Sequence, residues 1–257
     1  MISIEATHDV VLQIMNRRRI GLLITNTDNT DFAQRWPRDG EKFTTLIKQV
    51  RPLWDMRAYE CTEGEFPAHI DDCDGYVIGG SPASVHDKDN WISDLFGVIR
   101  ALDQARKPTV GCCFGHQAIA VALGGKVGRN PGGWGFGVSP TVFASSEPWM
   151  VPPAAAVQLF AAHREQVLAV PPAGRVLGGD AFCPAGSLAI GDHMMTTEYH
   201  PEMTKPFFLE LCVAFASYIG DTKAEEAMRQ AQDVEAQGPL FAEWMAKFLE
   251  MPRPPRG

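Results

Sequence analysis

The stretch "KPTVGCCFGHQAIAVALGG" (residues 107–125) decides how the chain is read. Its first part, "KPTVGCC" (107–113), is short, apolar and strand-like, and "HQAIAVALGG" (116–125) is helical and ended by glycine. Between them, Gly111 and Gly115 flank Cys113 symmetrically. A strand that turns directly into a helix, with small residues two positions either side of a nucleophile, is the layout of a nucleophile elbow. The glycines let the chain turn sharply and let a substrate approach. Cys113 is centred between them, whereas Cys112 would be the last strand residue, pointing into the core. A thiol at the tip also sits at a helix N-terminus, where unpaired N–H groups and the helix dipole favour the thiolate. The following N–H, of Phe114, is placed to help bind an oxyanion. The stretch alone is equally compatible with two buried cysteines in a turn.

Working outward, "RIGLLITNT" (19–27) reads as a buried strand. "EKFTTLIKQVRPL" (41–53) has helical spacing, and "WDMRAYECT" (54–62) alternates as a strand. "GYVIGGSP" (75–82) is an apolar strand running into a glycine turn, and "WISDLFGVIRALDQA" (91–105) is an amphipathic helix. Strand and helix therefore alternate from about residue 19 to 125. That pattern predicts an α/β fold, a mostly parallel central sheet with helices on both faces. Ligands in such sheets sit beyond the carboxyl ends of the strands, where the Gly79-Gly80 turn and Cys113 both fall. From 128 to 199 the chain reads as short strands with Gly/Pro turns. A helix follows at 207–219 and a helical, mixed-charge tail after 221. The expected organisation is an N-terminal extension (1–18), one domain (19–220) and a C-terminal helical tail (221–257).

Composition narrows the class. Hydrophobic residues make up 45% and charged residues 21%, ordinary for a globular protein, and the net charge is -8. Apart from Arg17-Arg18-Arg19 there is no basic tract, so nucleic-acid binding has little support. No apolar run approaches the roughly 18–20 residues of a membrane span. The N-terminal segment has acid before its apolar stretch and base after it, the wrong order for a secretory signal. The six cysteines show no C-x-x-C pair, so free thiols in a reducing cytoplasm are expected. Neither a P-loop nor zinc-ligand spacing is present; no metal, flavin or nucleotide cofactor is expected.

A thiol nucleophile needs a base, and the base needs an orienting carboxylate. Seven histidines are available. In "TTEYHPEM" (196–203) a strand-like run ends at His200, Pro201 forces a turn, and Glu202 can fold back to the imidazole. Taken alone, an H-P-E sequence reads as a turn carrying a surface acid.

The combination of G-x-C-x-G-x-Q at 111–117 with Y-H-P-E at 199–202 resembles the class I glutamine amidotransferase family. Cys113, Gly115, His116 and Gln117 match its elbow, and His200 and Glu202 match its base and orienting acid. "VIGGSPASV" (77–85) resembles the family's oxyanion loop, with Gly80 best matched to the backbone donor. The resemblance covers roughly residues 19–218 and is nearest in feel to stand-alone domains similar to the glutaminase part of GMP synthase. It implies a flavodoxin-like three-layer sandwich and, as catalytic residues, Cys113, His200 and Glu202. The N–H groups of Gly80 and Phe114 would serve the oxyanion, and Gln117 would line the substrate site. His163, in "AHREQV" (162–167), and Trp134, in "NPGGWGFGV" (130–138), would shape or wall the pocket; for Trp134, core packing is an equal alternative. Two departures stand out. Glu198 replaces a glutamine often found two residues before the histidine, and Glu165 replaces an aspartate.

The resemblance implies attack of Cys113 on the γ-carboxamide of glutamine, through a γ-glutamyl thioester. Three expectations follow. The first is a stand-alone glutaminase supplying ammonia to a separate synthase subunit. The second is a γ-glutamyl peptidase or hydrolase acting on a γ-glutamyl peptide or amide without a partner. The third is a non-enzymatic regulatory module, disfavoured by the intact Cys113, His200 and Glu202.

Overall fold

The computed structural model describes residues 17–252; the expected N-terminal extension, apart from Arg17 and Arg18, lies outside the described residues. Among the described residues there are eleven strands: β1 (Arg19–Ile24), β2 (Asp55–Glu60), β3 (Gly75–Ile78), β4 (Thr109–Cys112), β5 (Lys126–Arg129), β6 (Gly135–Phe143), β7 (Ala156–His163), β8 (Glu165–Ala169), β9 (Gly174–Gly179), β10 (Ser187–Ile190) and β11 (Met194–Thr197). The α-helices are α1 (Asp31–Gln34), α2 (Asp39–Lys48), α3 (Asn90–Gln104), α4 (Phe114–Ala122), α5 (Lys205–Ile219), α6 (Asp221–Asp233) and α7 (Gly238–Glu250).

Nine strands form one sheet in the order β2-β1-β3-β4-β11-β10-β9-β6-β7. The first five are parallel, as the strand–helix alternation predicts. Their members β3 and β4 are buried throughout, which is why they read as continuous apolar runs rather than alternating ones. From β11 onward the sheet continues antiparallel, in the region of Gly/Pro turns in the sequence. It then curls back. The N–H of His200, just past β11, donates to the Phe160 carbonyl of β7 at 2.9 Å. Strands β5 and β8 make a separate small ribbon.

Helices cover both faces. On one, Phe43 and Ile47 of α2 and Trp244 and Phe248 of α7 pack over Leu22, Val77 and Cys112. On the other, Leu95 and Ile99 of α3 and Ile119 of α4 pack over Leu23 and Ile78. A third apolar cluster lies between α5, α6 and the curled strands β6 and β7. The C-terminal helices are thus part of the packed body. Trp244 is fully buried and its indole N–H donates to the Pro152 carbonyl at 2.8 Å. Arg51, three residues past α2, clamps α7 by pairing with both Glu243 and Glu250. All six cysteines are buried free thiols. Among the described residues no helix is long and apolar enough to cross a membrane.

Candidate active site

The elbow forms where β4 meets α4. Cys113 is the N-cap of α4 at φ 49° and ψ -108°, a backbone conformation that side-chain-bearing residues rarely take. Three backbone bonds hold it: Cys113 N–H to Thr197 O at 2.8 Å, Gln117 N–H to Cys113 O at 3.0 Å and Gly115 N–H to Gly79 O at 3.0 Å. The flanking glycines are required by space. A Cβ at Gly115 would lie 2.4 Å from the Ile78 carbonyl oxygen, and one at Gly111 would lie 2.7 Å from Ile119. Cys112 is completely buried in the sheet core, and burial drives its thiol pKa well above the ordinary range. That leaves Cys113 as the thiol at the cavity.

His200 and Glu202 lie beyond the carboxyl end of β11, the parallel neighbour of β4. The His200 Nδ1 is 2.7 Å from Glu202 Oε1. Its Nε2 has no hydrogen-bond partner of good geometry, and Cys113 is an electrostatic neighbour of the ring. Burial works against a charge on this imidazole. The carboxylate of Glu202 and the sulfur of Cys113 more than offset it, so the His200 pKa is raised well above its ordinary value. Gly80 faces the pair: a Cβ there would lie 3.0 Å from the ring and 3.6 Å from Cys113 Cβ. Neither the Gly80 nor the Phe114 N–H donates to a protein group among the backbone bonds of the described residues. The arrangement brings together a thiol, a base held by a carboxylate and two unengaged donors, the parts needed for acyl transfer.

Cys113, His200 and Gly80 open into a cavity of about 730 Å³. Gln117, His163 and Trp134 also line it. Gln117 has a second occupation: its Nε2 donates to Glu198 Oε1 at 2.7 Å and to Glu165 O at 2.9 Å. His163 is buried with Nδ1 3.1 Å from Glu165 O, and burial pulls its pKa down to about 4, so it is neutral near pH 7. The side chain of Trp134 is half-buried, and its backbone carbonyl accepts from Lys223 of α6 at 2.9 Å. The loop after Gly80 is tied to the "AHREQV" turn by Ser84 Oγ donating to Glu165 Oε2 at 2.7 Å. Trp91 belongs to the core, its ring 5.4 Å from Phe114.

Two features of the site went unread in the sequence. Behind Cys113, Glu198 is completely buried, with Oε2 3.5 Å from His116 Nε2, while His116 Nδ1 is 2.7 Å from Thr196 Oγ1. Burial, then the nearby Cys113, raises the Glu198 pKa well above normal, and burial lowers His116 to about 3. Burial therefore favours the neutral form of both groups. The departure from glutamine at 198 was the visible signal. The second feature is an apolar wall of the cavity, including Phe32, Trp36, Phe207 and Phe215. The signal for it was "KPFFLELCVAF" (205–215), apolar around more than one helix face.

Fold and elbow together define a doubly covered α/β protein with a cysteine at a strand-to-helix turn. The glutamine amidotransferase class-I family matches residues 54–206, and the chain belongs to that family. It is 28% identical to gamma-glutamyl peptidase 3 of Arabidopsis thaliana, over 77% of this chain and 82% of that one. It is 31% identical to gamma-glutamyl peptidase 2 of the same organism, over 76% of this chain and 79% of that one. Among solved structures, a glutamine amidotransferase from Thermotoga maritima superposes with a TM-score of 0.70 at 14% identity, covering 90% of this chain and 95% of that one. Family and relatives together imply hydrolase-type activity.

Proposed function

We propose that the protein hydrolyses γ-glutamyl amide bonds in peptides or amides, unaided by a synthase. This is the second of the two enzymatic expectations. The relatives favour it over the glutaminase subunit, because those covering most of this chain carry the name gamma-glutamyl peptidase. The observation that carries it is the cavity: about 730 Å³ around Cys113 and His200, well beyond what the five-carbon chain of glutamine fills.

In this reading the Cys113 thiolate forms a bond to the γ-carbonyl carbon. The Gly80 and Phe114 N–H groups hold the oxyanion of the tetrahedral intermediate, each worth roughly 3 kcal/mol in the barrier. The C–N bond breaks as His200 gives its proton to the departing amine, leaving a γ-glutamyl thioester. Water then attacks; His200 takes its proton, glutamate leaves, and the thiolate and imidazolium return. Glu202 fixes the tautomer and favours the charged ring.

Glutamate release by the purified protein, from glutamine and from γ-glutamyl-glycine with Cys113→Ala as control, tests this. Cys113-dependent release from the dipeptide by the protein alone is expected. Release from glutamine only, rising on addition of a synthase fraction, would return the reading to a glutaminase subunit.

A further inference from the structure

We infer that the cavity is divided into a polar glutamyl half and an apolar leaving-group half, and that the favoured substrate is a γ-glutamyl amide whose amine carries an aromatic or similarly large apolar group. This rests on the reading of the site as a γ-glutamyl hydrolase.

The division follows from what lies on each side of the reacting residues. The α4 side carries polar and charged groups: Gln117, Ser84, Arg164 and Glu165 line the cavity there, Gln117 Nε2 donating to the Glu165 carbonyl and Ser84 Oγ to the Glu165 carboxylate. The other side has an apolar wall, beside which Asp28, Arg38, Asp39 and Lys42 also line the cavity. Met203, three residues past His200, lines the cavity with Phe207, Leu211 and Phe215 of α5, and Phe32 and Trp36 close it from around α1. These rings form one packed surface: Phe207 lies 5.4 Å from both Phe32 and Trp36, centroid to centroid. The surface is anchored to the base itself, because Phe160 of the same cluster binds the His200 backbone.

Chemistry then assigns the halves. A glutamyl group carries a carboxylate beside its ammonium, and burying that carboxylate against aromatic rings without a partner costs several kcal/mol. The glutamyl end therefore belongs with the polar residues. The amine leaves on the side of His200, since the imidazolium must reach its nitrogen, and that is the side of the apolar wall. Its rim is not wholly apolar: Lys42 Nζ stands 3.9 Å from the Phe207 centroid while paired with Asp39 at 3.0 Å. A leaving amine with an apolar side chain thus meets the rings beside the Lys42–Asp39 pair.

The test compares kcat/KM for glutamine, γ-glutamyl-glycine and γ-glutamyl-phenylalanine in the wild type and in Phe207→Ala and Trp36→Ala, each checked for folding by its thermal transition. The wild type is expected to prefer the phenylalanine compound over the glycine one by about 10- to 100-fold, the range a large apolar group in a fitted pocket supplies. The preference should shrink about tenfold or more in the variants. Trp36 is only partly buried, so it serves if Phe207→Ala fails to fold. Equal turnover of the two dipeptides, or an unchanged ratio in a folded variant, would overturn this inference and leave the hydrolase reading standing. Absence of Cys113-dependent turnover of all three compounds would remove both.

Discussion

Replacing Gly115 by alanine isolates how closely α4 must approach the sheet. The added Cβ would lie 2.4 Å from the Ile78 carbonyl oxygen and 2.9 Å from Ile78 Cβ. The obstacle is strand backbone, which cannot swing aside as a flexible side chain would. To restore a 3.0 Å separation from the 2.4 Å starting point, α4 must recede by at least about 0.6 Å. Overpacking of this kind costs about 1–3 kcal/mol, against which alanine returns about 0.5–1 kcal/mol of helix propensity. A net loss of about 1–2 kcal/mol follows, a fall of roughly 2–8 °C in Tm for a chain of this length. Because Cys113 caps the displaced helix, and a 1 Å misplacement of a reacting group can cost about 100-fold, kcat/KM should drop about tenfold or more. Gly97, exposed in the interior of α3 with nothing within 4 Å of its Cβ position, is the control. Gly97→Ala should stabilise by about 0.5–1 kcal/mol and leave turnover alone. Urea unfolding and glutamate release on both variants decide the matter. A Gly115→Ala protein as stable and as active as the wild type would refute the steric reasoning.

Three further outcomes are expected. Glu202→Gln removes the carboxylate that holds the His200 ring and favours its charge; kcat/KM should fall about 10²–10⁴-fold, and the pH profile should shift as the His200 pKa drops, which a pH series of initial rates would show. Glu198→Gln should gain stability relative to the wild type as pH rises above about 4.5. The unfolded carboxyl ionises there while the buried one, its pKa raised, keeps its proton, so the wild type loses up to about 1.4 kcal/mol per pH unit until the folded pKa is passed; below that window neither state is ionised and the difference vanishes. Equal urea midpoints at pH 5 and pH 8 for the two proteins would contradict a raised Glu198 pKa. A chain ending at Gln237 should fail to give a cooperative thermal transition, because Phe241, Trp244 and Phe248 of α7 cover one face of the sheet.

Much of this was legible in the sequence where one residue carries a local constraint. Gly111 and Gly115 around Cys113 announced a turn that only small residues permit, and the clashes at their Cβ positions show why. The parallel strands could be read because burial on both faces leaves unbroken apolar runs such as "GLLI" and "YVI". What stayed hidden depends on contacts between distant segments. The mixed charge of "AEEAMRQAQD" resembles a solvated tail, yet Ala227 and Ala231 are fully buried in the third cluster. Trp244 gave no sign that it would reach the Pro152 carbonyl, 92 residues away in sequence. Glu198 was noticed only as a mismatch: a carboxyl becomes a neutral hydrogen-bond acceptor only when three-dimensional burial removes its water. The phenylalanines of the apolar wall read as core because a cavity lining and a core have the same hydropathy.

The bond from His200 to Phe160 also bears on self-association. A sheet end normally offers unpaired N–H and C=O groups as a template for another chain. Here the outer margin of β7 is filled by the protein itself: Phe160 accepts from His200, and Gln158 accepts from the Gln237 N–H and donates to the Gln237 side chain. The opposite margin, β2, is six residues long and carries Asp55, Arg57 and Glu60. The loop that presents the imidazole therefore also guards the sheet, so loosening it would extinguish turnover and expose a sticky strand in the same event.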